Sequence, residues 1–221
     1  MALKTMSAIR VPVISQIVSL AIKKGVADMS PVVRKTAAFA CVKCVNLDPS
    51  TLPQVTDYIG QLIADKQYYV SGAAVAAFLE VCPERIDILH SSYRGLVKKM
   101  VDMDEWGQLA TLKLLTVYAR RCFPRRTRRV KKATTGQVDK ERSFYAEEKD
   151  ESNGEVEYED KEILDPDLEL LLDSALPLLQ SRTSAVIVAV ARAFLYLAPA
   201  QYLHHAVGPL IALLRLSLIH I

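Results

Sequence analysis

Hydrophobic residues recur through most of this chain at intervals of three and four residues, the spacing of one face of an α-helix. Ile14, Ile17 and Val18 begin one such set, and Trp106 and Leu109 begin another. These patterns predict eight helices, near residues 13–24, 31–46, 52–64, 70–82, 86–101, 106–122, 168–180 and 185–198.

Prolines follow the apolar segments at regular intervals. Pro12, Pro49, Pro83 and Pro124 lie 37, 34 and 41 residues apart, and Pro199 follows 75 residues later, close to two such intervals. Proline cannot continue a helix, because it has no N–H and its ring clashes with the preceding turn. Each of these prolines therefore marks a helix end, and together they indicate a repeating unit.

Each repeat contains two predicted helices. This arrangement predicts an all-α fold of stacked antiparallel helix pairs, an α-solenoid of the HEAT or armadillo type. The second helix of a pair is richer in small residues, as in Thr36–Ala40 and Gly72–Phe78. Since small side chains let helices approach closely, we expect the second helices to form the inner, more buried row.

One charged segment interrupts this rhythm. Six of the eight residues in Arg125–Lys132 are basic, and acidic residues dominate Glu147–Glu162. Apolar residues are too few here to form a core, which predicts disorder. The chain is therefore expected to divide into a solenoid over 1–124, a disordered charged insertion over 125–165, a resumed solenoid over 166–215 and an unexplained tail over 216–221.

The basic run Arg125–Lys132 has three interpretations. It fits a nuclear-localisation or nucleic-acid patch, a contact with anionic lipid, or a solvated charged loop. We favour the solvated loop, because the acidic half of the insertion partly neutralises the basic half within a Debye length. The net charge of the whole chain, +3, does not by itself indicate a nucleic-acid partner.

The N-terminal residues, the cysteine content and the apolar runs indicate the cellular compartment. Met1–Arg10 lacks the apolar core of a signal peptide, and four cysteines in 221 residues do not suggest a disulfide scaffold. The most apolar run, Ala185–Ala200, contains Arg192 and is shorter than the roughly 20 residues that cross a bilayer. We expect a cytosolic, reduced protein without a membrane span.

Cys41 and Cys44 form a Cys-x-x-Cys motif, which can bind zinc or perform thiol–disulfide exchange. A zinc site needs two further ligands at matching spacing, but Cys82 and Cys122 are isolated in the sequence and no histidine lies near Cys41. A redox motif follows a strand, and no strand is evident here. We interpret both residues as core cysteines of a helix and expect no metal site.

Other candidate residues lack recognisable partners. His204 and His205 suit a loop or a helix start, and His90 is a lone histidine in an amphipathic helix. Glu84 and Asp87 suit a helix start, where carboxylates stabilise the helix dipole. The sequence contains no P-loop, GxGxxG, GxSxG or HExxH motif. We therefore expect no catalytic, cofactor-binding or metal site, and no enzyme.

Six stretches are distinctive as sequences: IRVP at Ile9–Pro12, SPVVRKTAA at Ser30–Ala38, FLEVCPERIDILHSSYRGL at Phe78–Leu96, DEWGQ at Asp104–Gln108, FYAEE at Phe144–Glu148 and LLQSRTSAVIVAVA at Leu178–Ala191. Together they resemble the trunk of the β-type large subunits of clathrin-associated adaptor complexes, the β-adaptins. Within that family they are most similar to the β subunits of adaptor-protein complex 3. The resemblance covers about residues 8–215.

This resemblance implies a non-enzymatic scaffold in a heterotetrameric vesicle-coat complex. Such a trunk pairs with a second large, a medium and a small subunit, and curls around the N-terminal domain of the medium subunit. The assembled complex lies on the cytoplasmic face of Golgi and endosomal membranes and sorts cargo toward lysosomes and related organelles. The resemblance implies no nucleic-acid or small-molecule ligand, and it transfers no residue-level partner site.

Family members have many further repeats, a hinge and an appendage, so we expect this chain to be a fragment. Leu216–Ile221 does not resemble the continuation of the family. The alternative function is a nuclear-transport or nucleic-acid-associated helical-repeat protein, motivated by Arg125–Lys132. Such a solenoid is expected to carry ladders of Trp and Asn, whereas this chain has one Trp.

Overall fold

Ten α-helices and one pair of short strands are found in the computed structural model of the chain, which describes residues 2–123, 126–131 and 158–219. In chain order they are α1 Ala2–Met6, α2 Ser15–Val26, α3 Pro31–Leu47, α4 Leu52–Ile63, α5 Tyr68–Val81, α6 Tyr93–Met100, α7 Glu105–Cys122, β1 Arg126–Lys131, β2 Tyr158–Ile163, α8 Pro166–Ala175, α9 Ser184–Leu197 and α10 Ala200–Ile219.

The helices stack as antiparallel pairs, which confirms the predicted α-solenoid. The pairs are α2–α3, α4–α5 and α6–α7; after the ribbon, α9 packs on the 3₁₀ segment Leu176–Gln180 that continues α8, and α10 packs on α9. The second helices form one continuous row, in which α3 packs on α5, α5 on α7 and α7 on α9. Contacts between neighbouring first helices are less extensive, so the row of second helices, here called the inner row, is the more closely packed one.

One hydrophobic core runs the length of the stack, from Val18 in α2 to Ala206 in α10. Its largest fully buried side chains include Phe78 in α5 and Phe194 in α9. Small residues fill the contacts between inner helices, as the sequence predicted; Ala37, Ala38 and Ala40 of α3 are all buried. The repeated burial of one face per helix explains why the apolar residues recur at helical spacing.

Helix starts follow from local side-chain chemistry. Asp104 accepts a hydrogen bond from the N–H of Gly107 (3.0 Å) and begins α7, and Asp165 accepts one from Asp167 (3.0 Å) and begins α8. Prolines occupy the first position of α3 and α8, where the missing N–H costs nothing. The predicted helix ends before Pro49, Pro83 and Pro199 are confirmed.

Two predicted helices are shorter than expected. The segment 86–101 divides into a 3₁₀ turn, Ile86–Leu89, and α6, because Ser91 and Ser92 favour turn geometry over the helix interior. The segment 168–180 ends as α-helix at Ala175 and continues as a 3₁₀ turn over Leu176–Gln180, where Pro177 provides no N–H. Helices α1 and α10 were not predicted, and α10 continues through Pro209.

Strands β1 and β2 form a two-stranded antiparallel ribbon between α7 and α8, where the sequence predicted no secondary structure. Arg126 lies opposite Ile163 and Lys131 lies opposite Tyr158. Both rows of helices continue across this point, since α6 packs on α8 and α7 on α9. The predicted disorder between the strands concerns residues 132–157, which lie outside the described residues.

Candidate partner-binding surface

The Cys-x-x-Cys motif lies inside the core. Cys41 and Cys44 are buried in the middle of α3, and the Cys44 Sγ donates to Thr51 Oγ1 at 3.7 Å. Burial raises the pKa of the Cys41 thiol to about 12, and burial also raises the pKa values of Cys44 and Cys82. These thiols therefore remain protonated at neutral pH, whereas the thiolate is the form that attacks or binds metal.

The histidines are dispersed. His90 is exposed in the turn before α6, not within a helix as predicted, and its Nδ1 lies 2.7 Å from Tyr118 Oη. His204 and His205 are exposed in the first two turns of α10, where the sequence predicted either a loop or a helix start. Over residues 2–123, 126–131 and 158–219, no three His, Cys, Asp or Glu side chains are placed to share a metal ion.

One of the two carboxylates near residue 85, that of Asp87, forms a surface ion pair with Arg85. Arg85 Nη2 lies 3.0 Å from Asp87 Oδ2, and both side chains are largely exposed. This hydrogen bond from Arg85 is the main reason that the pKa of Asp87 is lowered. Glu84 is exposed nearby, so neither carboxylate lies in an enclosed site.

Among the helices the structure describes, none is long and apolar enough to cross a membrane.

Large apolar side chains are exposed along the inner row. Trp106 in α7 has 79% of its surface exposed, Val32 in α3 has 64% and Phe39 in α3 has 46%. Val117 in α7 and Leu195 in α9 extend this exposure toward the end of the row. Exposed aromatic residues of this kind are enriched at protein–protein interfaces, so the inner row is the candidate functional surface.

Two adjoining grooves shape this surface. The Trp106 groove lies between α3, α5 and α7, has a volume of about 630 Å³, and is lined by Phe39, Leu79, Trp106 and Leu109. The second, here called the Val32 groove, lies between α1 and α3, has a volume of about 690 Å³, and includes Val32. Lys35 and Phe39 line both grooves, which therefore lie side by side.

Close helix packing produces the floor of the Trp106 groove. A Cβ at Gly72 of α5 would lie 3.3 Å from the Cα of Gly107 in α7. The two glycines therefore let the helices approach more closely than side chains would allow. Ala73 and Ala76 complete the floor, and Trp106 stands beside it. The depth of the groove thus depends on the absence of side chains at these two positions.

Polar contacts fix the relative positions of the helix pairs. Arg34 of α3 forms two hydrogen bonds with Asp65 in the α4–α5 turn (2.5 and 3.2 Å), and Lys99 of α6 donates to the Asp65 carbonyl and to Ser71 Oγ (2.8 Å). Burial alone would raise the pKa of Asp65, but the hydrogen bond from Arg34 lowers it below its usual value. Three successive pairs are joined by this network.

A second set of contacts joins the pairs on either side of the ribbon. Tyr93 Oη donates to the Asp167 carbonyl (3.0 Å), and Arg94 Nε lies 2.7 Å from the Asp167 carboxylate. Tyr93 also stacks on Tyr118, with ring centroids 4.8 Å apart. In the inner row, α7 packs on α9, and the Arg120 guanidinium of α7 lies over the Tyr196 ring of α9 at 5.2 Å.

Sequence reasoning misplaced Trp106 and Ile17. It assigned both to buried helix faces, whereas Trp106 is 79% and Ile17 is 56% exposed. Trp106 lies in the first turn of α7 directly before the buried Gly107 and Gln108, so the apolar period alone could not show that its side chain is exposed. Phe39 carried a usable signal: it is out of phase with the buried positions of α3, including Ala37 and Cys41.

A stack of helix pairs with an exposed apolar row has the architecture of a helical-repeat interaction protein. The model of one family, described as the adaptin N terminal region, matches residues 1–218. The chain belongs to this family. The match includes residues 216–218, the first three residues of the predicted unexplained tail over 216–221.

Curated relatives cover nearly all of the chain. The AP-3 complex subunit beta-2 of Mus musculus is 42% identical over 97% of it, and the AP-3 complex subunit beta of Dictyostelium discoideum is 40% identical over 97%. This chain spans 20% and 21% of those proteins, about one fifth of their length. The predicted likeness to this type of subunit is confirmed.

The fold of this chain is similar to that of one chain in another structure. A chain from a homology model of the full-length AP-3 complex in an intermediate open conformation matches with a TM-score of 0.57. The match covers 96% of this chain and 34% of the other, at 23% sequence identity. At this level of identity the comparison establishes a shared helical-repeat fold and nothing finer.

Proposed function

We propose that this chain is a trunk segment of the β subunit of an AP-3-type adaptor complex and acts as a non-enzymatic scaffold in vesicle transport. The observation that carries the proposal is the exposed apolar inner row, which offers partners a long surface on a rigid stack. Relatives named as AP-3 complex β subunits support the same function, since their similarity extends over nearly the whole chain.

The proposed partners are the second large, medium and small subunits of the complex. Solenoids bind partners along extended surfaces, and the inner row provides one. Through the assembled complex the chain would associate peripherally with Golgi and endosomal membranes and take part in cargo sorting toward lysosomes and related organelles. The cysteines and histidines described above support a scaffold over an enzyme, because the thiols are buried and the histidines are dispersed.

The proposed domain organisation is a single solenoid with one charged insertion. Residues 1–124 and 166–215 form one solenoid, because α7 packs on α9 across the intervening residues. Residues 125–165 are an insertion whose first and last parts pair as β1 and β2. In this scheme the insertion adds a charged element to the solenoid without dividing it into two domains.

Affinity purification tests the proposed function. The gene product containing this chain is tagged in its own cells, and the recovered proteins are identified by mass spectrometry. We expect the other three adaptor subunits in comparable amounts. Recovery of importins or nucleic acid without adaptor subunits would instead support the alternative of a nuclear-transport or nucleic-acid-associated solenoid.

A further inference from the structure

The Trp106 groove and the Val32 groove combine an apolar floor with a rim of lysines. Beside this floor of glycine and alanine, the lining presents large apolar side chains, including Phe39, Leu79 and Leu109. Four lysines line the two grooves together, against two carboxylates: Lys4, Lys35, Lys43, Lys113, Glu80 and Asp104. An occupant that fits both features has large apolar side chains and a surplus of negative charge.

The carboxylate of Asp104 is already engaged within the protein. It accepts the Gly107 N–H at the start of α7 and lies 3.7 Å from Lys35 Nζ. Lys43 and Lys113 are exposed, and no carboxylate among the described residues forms an ion pair with either of them. Lys4 is also exposed without such a partner, so the lysines available to an incoming ligand are Lys4, Lys43 and Lys113, against the exposed carboxylate of Glu80; Lys43 and Lys113 lie on either side of Phe39.

From these observations we infer that the two grooves form one docking site for an acidic, amphipathic helical segment of a protein partner. The segment inserts apolar side chains between Phe39 and Trp106 and places carboxylates near Lys43 and Lys113. Helix-in-groove recognition uses apolar anchors at i, i+3, i+4 and i+7, and the apolar lining of the grooves suits such anchors. This inference deepens the proposed scaffold function, on which it rests, by giving the chemistry of one partner.

The same surface is less suited to nucleic acid. Single strands bind where aromatic rings stack with bases above a groove that is positive along the backbone path. Here the carboxylates of Glu80 and Asp104 interrupt the rim, and aliphatic side chains occupy much of the lining. A peptide with both apolar and acidic residues is therefore the occupant that the lining favours.

The single tryptophan of the chain gives a direct readout, because Trp106 lines the groove and is 79% exposed. The probe is a synthetic helical peptide without Trp, with Leu at i, i+3, i+4 and i+7 and Glu on the flanking positions. A matched peptide has Lys in place of Glu. We expect the acidic peptide alone to shift Trp106 emission to shorter wavelength, with an affinity that falls as salt rises.

Charge reversal on the whole chain tests the lysines. We expect the double variant Lys43→Glu, Lys113→Glu to bind the acidic peptide about tenfold more weakly. The matched control Lys66→Glu, at an exposed lysine in the α4–α5 turn outside both grooves, should bind like the parent chain. Circular dichroism verifies that all three proteins have the same helical content.

Three results would overturn the inference: no emission shift, equal binding of the Glu and Lys peptides, or a shift produced by a single-stranded oligonucleotide. None of them would affect the proposed function, which depends on recovery of the adaptor subunits with the parent protein. Conversely, the acidic peptide could bind tightly while no adaptor subunit is recovered. That result would support the docking site and contradict the proposed function as an adaptor subunit.

Discussion

Individual side chains hold successive helix pairs in register. Asp65 is the clearest case, because Arg34 from the preceding pair binds its carboxylate and Lys99 from the following pair binds its carbonyl. The Asp65 carboxylate is only 9% exposed, so this ion pair is better shielded from water than the Arg85–Asp87 pair on the surface. A contact of this kind contributes to stability, while an exposed ion pair contributes little.

Asp65→Asn is expected to lower the free energy of unfolding by about 1–2 kcal/mol at neutral pH, since it weakens a charged hydrogen bond. The pKa of Asp65 is lowered in the folded state, so its stabilising contribution is present above the unfolded pKa and is lost as pH falls through the folded pKa. The difference between parent and variant should therefore disappear in acid. Urea unfolding at several pH values measures this difference.

The control for that experiment is Asp102→Asn, at an exposed carboxylate without an ion pair among the described residues. Its free energy of unfolding at neutral pH should match that of the parent. An Asp65→Asn variant that behaves like this control would show that the network across the three helix pairs contributes nothing to stability.

Buried cysteines are expected to react slowly with alkylating reagents. Burial raises the pKa of Cys41 to about 12, so almost none of it is thiolate at pH 8. Cys122 is only partly buried and should be modified first. A time course with iodoacetamide, followed by peptide mass spectrometry, compares the four thiols in one sample. Rapid joint modification of Cys41 and Cys44, or one zinc per chain by metal analysis, would contradict their assignment to the core.

The sequence predicted buried residues better than exposed ones. Periodicity located Cys41 and Cys44 in the core, because a buried face must repeat with the helix. It could not identify Trp106 as exposed, since an apolar residue in a first turn has the same spacing whether it meets the core or the solvent. The polar network around Asp65 was also missed, because its three members come from three different repeats.

Individual helices were predicted well where a proline and the spacing of apolar residues indicated the same helix, as for α3 and α5. They were less well predicted where local chemistry intervened, as in the serines before α6. The close contact of α5 and α7 lies beyond such reasoning, because Gly72 and Gly107 are 35 positions apart in the chain and meet only in the stack. Helix spacing is therefore set by pairs of residues that the sequence does not reveal as pairs.

A comparison of two glycine substitutions tests this view of helix spacing. In Gly107→Ala, the new Cβ would lie 2.7 Å from Asp104 Oδ1 and 3.4 Å from the Cα of Gly72. The variant must disturb either the start of α7 or its contact with α5, and we expect a loss of about 1–3 kcal/mol. Thermal unfolding followed by circular dichroism provides the measurement.

Gly95→Ala is the matched substitution within a helix. Apart from the neighbouring backbone of α6 itself, no atom lies within 4 Å of a Cβ at this position, so the alanine side chain meets open space. Because alanine favours helix over glycine, this variant should be more stable than the parent by about 0.5–1 kcal/mol. Equal effects of the two substitutions would mean that the α5–α7 contact does not require glycine.

At the level of the whole molecule, one continuous core joins the repeats on both sides of the ribbon. The fold class could be predicted from the sequence because repeated helix pairs with proline ends have few other ways to bury their apolar faces. It did not predict the pairing of β1 with β2, since neither strand has the alternation of apolar and polar residues that marks a half-buried strand.

Replacing residues 132–157 with Asn-Gly should leave the solenoid intact. Lys131 lies opposite Tyr158, so a two-residue turn can join β1 to β2 in the same register. We expect the melting temperature and the helical circular dichroism signal of the parent chain. A second variant, in which Asn-Gly directly joins Phe123 to Leu164, tests whether the ribbon itself is needed. A fall in helical signal in the first variant would show that the removed residues support the stack.

The ribbon also has a consequence for how this part of the chain can change over time. Because β1 and β2 pair side by side, the insertion leaves and rejoins the helical stack at the same place. This holds whatever the number of residues between the two strands. Gains and losses of residues between the strands can therefore accumulate without shifting any helix against its neighbour. The same property makes the position between Lys131 and Tyr158 a natural point for genetically inserting a fluorescent reporter.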